Sequence, residues 1–121
     1  MFDPRRAAAI AGVAVDVCDL GDWAGRLVSE YDPRARTIRV NGRALAAYRS
    51  RVAGETAGPD DIERFIVLAV AHELYHHREA IGEVARLATR AAREAAADAY
   101  ARAAVPVGEQ LAAFLERAAA S

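Results

Sequence analysis

The residues best placed to do chemistry are His72, Glu73 and His76, in the run His72-Glu73-Leu74-Tyr75-His76. On a helix, two residues four apart project within about 40° of each other and stand roughly 6 Å apart along the axis. Two imidazoles at that spacing can reach one metal ion from one side. Glu73 lies about 60° round from His76 by the same geometry, close enough to meet a water beside that metal as a general base. A catalytic zinc takes three protein ligands and keeps a fourth position open, so a third ligand must come from elsewhere in the chain. All three histidines fall between positions 72 and 77. The competing reading makes His72 and His76 core histidines bonded to backbone carbonyls, with Glu73 a solvated charge.

The helix carrying the motif must be central, because Phe65-Ile66-Val67-Leu68-Ala69-Val70-Ala71 leaves almost no polar face ahead of it. Pro59-Asp60 predicts its start, with Glu63 placed for a capping box back to Asp60, and Gly82 predicts its stop after Ala80. A following helix over about Glu83–Val105, ending before Pro106, should fold back against it. On that helix Glu94 and Asp98 are again four apart, flanked by Val84, Leu87 and Ala91 on a face expected to point inward. A carboxylate aimed into a core needs a positive partner or a metal. Glu94 as the third ligand, and Asp98 as hydrogen-bond partner of a ligating imidazole, would satisfy both. His77 projects about 140° from His72, which predicts a surface or edge position. Tyr75, Tyr100 and Trp23 read as packing residues; Tyr75, Tyr100 and His77 are the weak candidates for stabilising an oxyanion.

Upstream, Asp3-Pro4 and Gly12 bracket a first helix over about Pro4–Ala11. Val13, Val15 and Val17 hint at a strand. The runs Arg26–Tyr31 and Arg36–Asn41, joined by Asp32-Pro33-Arg34-Ala35, read as a hairpin. Asp22–Gly25 and Gly54–Gly58 read as loops, Arg43–Val52 as a weak helix, and Gly108–Ala119 as a last amphipathic helix. The order helix, small sheet, helices predicts an α+β fold, one domain over residues 1–121.

These residues resemble the ImmA/IrrE family of zinc metallopeptidases, gluzincin-type HExxH enzymes. The family pattern, HELxH followed by ExxANxFA and a short apolar run ending in proline, reads here as His72–His76, then Glu94–Ala101, then Ala103–Pro106. The likeness spans about Arg26 to Pro106. Asp98 stands where Asn is usual, Tyr75 where Gly is common and Tyr100 where Phe is common. The resemblance implies a zincin-like fold with a small antiparallel sheet and a buried active-site helix. It also implies one zinc per chain held by His72, His76 and Glu94, with Glu73 as general base. The activity implied is cleavage of a protein or peptide, typically a DNA-binding repressor, with nucleic acid affected only indirectly. Family members often carry a helix-turn-helix or sensor domain, and none is expected within these 121 residues.

Composition narrows the alternatives. Apolar residues at 54 % and charged residues at 27 % suit a globular fold. A net charge of -1 argues against direct contact with nucleic acid or an anionic membrane. Cys18 has no second cysteine to pair with and fits a buried thiol in a reducing cytoplasm. No signal peptide is expected at the start, and Phe65–Ala71 is too short to span a bilayer. The remaining functional alternative is a zinc-containing or catalytically silent module that sequesters a protein partner. A substrate peptide would be expected to add as a strand at the hairpin edge along Arg36–Asn41.

Overall fold

Helix α3, Pro59–Ala80, is the strut around which the other elements gather. The computed structural model describes residues 2–20, 29–52 and 59–120. Trp23, the Asp22–Gly25 loop, the first part of the expected Arg26–Tyr31 strand and the Gly54–Gly58 loop lie outside the described residues.

The chain runs α1 Pro4–Ile10, β1 Ala14–Cys18, β2 Ser29–Asp32, β3 Thr37–Asn41, α2 Gly42–Val52, α3, α4 Arg90–Ala104 and α5 Gly108–Ala120. Asp3 caps α1 by accepting from the Arg6 amide, and Pro4 begins the helix where its missing N–H costs nothing. The hairpin forms as β2 against β3, antiparallel, with Ser29 opposite Val40 and Asp32 opposite Thr37. Its turn is held by the Asp32 carboxylate, which accepts from the amides of Arg34 and Ala35 at 3.0 and 3.2 Å. β1 joins the other edge of β3 in parallel, giving the order β1-β3-β2. The fold is α+β, but its sheet is mixed and not wholly antiparallel, because the chain returns from β1 through the hairpin before meeting it.

This order also moves the free edge. β3, the segment expected to receive a peptide, is paired on both sides; among the described residues, the unpaired strand edge beside α3 is that of β2. The inner face of β3 presents Ile38 and Val40, both fully buried, against a cluster that includes Leu45, Phe65, Leu68, Val70 and Leu111. Each such side chain contributes about 1.5–3 kcal/mol of burial. On the outer face Arg39 lies 3.7 Å from Glu30 and 3.5 Å from Asp32. Buried Asn41 accepts from the amides of Leu20 and Ala44, tying the end of β3 to the start of α2.

Helix α3 has the bounds expected of it, and one other helix boundary differs. Glu63 gives both oxygens to Arg5 of α1, at 2.6 and 3.0 Å; the Asp60 side chain of the expected capping box lies outside the described residues. The helix after α3 starts at Arg90 and not near Glu83, because Thr89 caps it by accepting from the Ala92 amide. Residues 81–89 instead close α3, with Gly82 at φ +81° and the Glu83 amide bonded to the Arg78 carbonyl. Leu87 is consequently exposed, and the buried residues of α4 are Ala97 and Ala101. Among the described residues no helix is long and apolar enough to cross a membrane.

Candidate metal centre

α3 brings His72 and His76 onto one flank, with ring centroids 5.2 Å apart. α4 packs against that flank and delivers Glu94. The His72 Nε2 lies 2.9 Å from Glu94 Oε2, and the His76 Nε2 lies 3.2 Å from Glu94 Oε1. Glu73 stands beside them, 5 % exposed, and His72, Glu73 and His76 each offer one ligand atom, all within 4.8 Å of one another. All four residues line an open cleft of about 740 Å³, together with Ser29, Glu30 and Tyr31 of β2 and Arg90 and Arg93 of α4.

A tetrahedral zinc would set the spacing of its donors. Donors about 2.0–2.1 Å from a tetrahedral zinc stand roughly 3.3 Å from one another. The two imidazole-to-carboxylate separations match that spacing. His76 Nε2 is buried and makes no hydrogen bond among the described residues, its distance to Glu94 Oε1 being 3.2 Å, so the atom is available to a further partner. His72, Glu73 and His76 thus form a group that could hold a metal ion, with Glu94 within reach of both imidazoles.

Electrostatics separates the two carboxylates. Burial pushes the Glu73 carboxyl up from its ordinary pKa; the charges of His72 and His76 and the hydrogen bond from Ser29 offset part of this. Ser29 Oγ donates to Glu73 Oε2 at 2.6 Å. Burial also acts to raise Glu94, but the hydrogen bond and charge of His72, with help from His76, outweigh it and hold that carboxyl below its usual range. Glu73 is thus the better proton acceptor and Glu94 the more persistent anion.

Other sequence-singled residues fall elsewhere. Asp98 does not reach an imidazole: its Oδ2 bonds Arg102 Nε at 2.8 Å, and Arg102 also holds Glu109 and Glu116 of α5. The carboxylate behind a histidine is Glu79, whose Oε1 lies 2.6 Å from His76 Nδ1. His77 is buried, not at the surface, because β2 covers the flank of α3 it faces. Its Nδ1 lies 2.7 Å from the Tyr31 hydroxyl, so it does not face the cleft. Tyr75 and Tyr100 pack ring against ring at 5.7 Å and do not line the cleft either. Cys18 is half-buried, and burial together with the charge of Asp16 pushes its thiol pKa up, against any nucleophilic role. Glu79 could have been noticed three residues after His76, on the same helix flank. Ser29 and Tyr31 carry no such signal, since only the hairpin's packing on α3 brings them near.

No family model matches the chain, and no curated protein or solved structure matches it either.

Proposed function

We propose that the chain is a zinc-dependent metallopeptidase of the HExxH…E type on a zincin-like scaffold, with one zinc held by His72, His76 and Glu94. The observation that carries the reading is the convergence of both imidazole Nε2 atoms on the Glu94 carboxylate, at 2.9 and 3.2 Å, in an open cleft beside a buried Glu73. The likeness of His72–His76 and Glu94–Ala101 to the ImmA/IrrE pattern is in keeping with it.

When bound, zinc supplies Lewis acidity toward water and a scissile carbonyl. Glu73 takes the water's proton and passes it to the leaving amine, with Ser29 holding one of its oxygens and leaving the other for the transfer. Glu94 stays ionised and compensates positive charge in the cleft. The edge of β2 is the place for an extended peptide, because Ser29, Glu30 and Tyr31 line the cleft and an added strand would pair there. The reading includes a specific protein substrate such as a DNA-binding repressor, and a cytoplasmic location suited to a chain with one cysteine.

Glu73→Gln tests it. The amide keeps the size and can still accept from Ser29, but it cannot take a proton. Zinc content should persist, while cleavage of the protein substrate falls by about 10²–10⁴-fold. Parental activity in this variant would contradict the proposed base. Indiscriminate digestion of casein by the parent would contradict substrate selectivity.

A further inference from the structure

The Glu79 carboxylate is a charge that neither folding nor the proposed base explains. Its side chain is only 6 % exposed, it sits on a helix flank already crowded by His76, and its Oε2 is buried without a hydrogen-bond partner. A buried carboxylate is costly unless something uses it. Among the described residues its one hydrogen bond is to His76 Nδ1, at 2.6 Å.

We propose that Glu79 is the positioning residue of the metal centre: it fixes His76 with the proton on Nδ1 and the Nε2 lone pair turned to the cleft. The inference rests on the zinc-site reading and adds to it the group that sets one ligand's tautomer. A neutral imidazole carries one proton, and the hydrogen bond at one nitrogen decides which. At Nδ1 the acceptor is close and well directed. At Nε2 the Glu94 oxygen is 3.2 Å away but fails to make a hydrogen bond, and the atom is otherwise buried. The proton therefore belongs on Nδ1, and Nε2 is left as a bare donor. His72 differs: its Nε2 makes a hydrogen bond to Glu94, and among the described residues no carboxylate bonds its Nδ1. Of the two histidines, His76 is the pre-set one. Asp98, the residue the sequence suggested for this part, is committed to Arg102.

The test combines imidazole NMR with metal titration. In metal-free protein labelled at histidine nitrogen, the neutral form of His76 should show one tautomer, protonated at Nδ1. Glu79→Gln, whose amide oxygen still accepts, should keep that pattern. Glu79→Ala should lose it, and its affinity for cobalt(II) should fall about 10–100-fold, the usual effect of removing such a partner. Asp98→Ala should match the parent on both readouts. Parent protein with the His76 proton on Nε2 overturns the proposal even if the alanine variant does not fold. So does a Glu79→Ala variant with parental tautomer and parental cobalt affinity. Failure of the parent to bind cobalt or zinc would remove the metal site, while the tautomer pattern would still decide whether Glu79 sets His76.

Discussion

Ser29 reaches from β2 to Glu73 across 2.6 Å, and that bond shares the charge of a carboxylate that water scarcely touches. Removing the hydroxyl leaves a buried oxygen without its donor. Ser29→Ala should therefore destabilise the fold by about 1.5–3 kcal/mol, the range for hydrogen bonds to charged groups. Denaturant unfolding checks this, and an unchanged midpoint would mean the bond contributes nothing. The sequence disclosed Glu73 through its neighbours His72 and His76, because helix geometry fixes what lies within one turn. It could not disclose Ser29, which is forty-four residues distant and meets Glu73 only through tertiary packing. Asp98 shows the converse. Its spacing from Glu94 was compatible with the metal site, but Arg102 lies one turn further on and competes for it. A neighbouring arginine on the same helix is a stronger claim on a half-exposed carboxylate than a histidine on another element.

The elements were legible where local chemistry decides them. Asp3-Pro4 starts α1, the Asp32-Pro33 turn closes the hairpin, and Gly82 stops α3, each by an interaction within a few residues. The start of α4 was not, because alanine-rich sequence continues the helical pattern back to Glu83 while Thr89 and the α3 terminus stop it locally. Gly82 takes φ +81° with open space around a built Cβ, so an added methyl group meets only backbone strain. Gly82→Ala should cost about 1–2 kcal/mol, as left-handed backbone does for other residues. An unchanged melting temperature would show that the α3–α4 connection rearranges freely. Strand order was the least legible feature, since nothing in the alternation of β1 or β3 says which strand lies in the middle. With β3 central, Arg39→Pro removes an N–H from a strand paired on both sides. It should destabilise the whole protein by about 1 kcal/mol or more, lowering the melting temperature along with activity. Loss of cleavage with parental stability would instead return the substrate edge to β3.

At the scale of the molecule, α3 touches α1, α2, α4, α5, β2 and β3, so the residues it carries are fixed by the folding of everything around it. His72 and His76 come from this strut, Glu94 from the helix packed hardest against it, and Ser29 from the strand covering its flank. A metal at their meeting point would tie α3 to α4 across the connection at residues 81–89, which is why the account stands or falls on that metal. Elemental analysis of the protein purified from zinc-replete cells is the direct measurement. About one zinc per chain is the expected result, since three protein ligands and one open position make a single site. Protein that emerges folded and free of zinc would contradict the account at its centre.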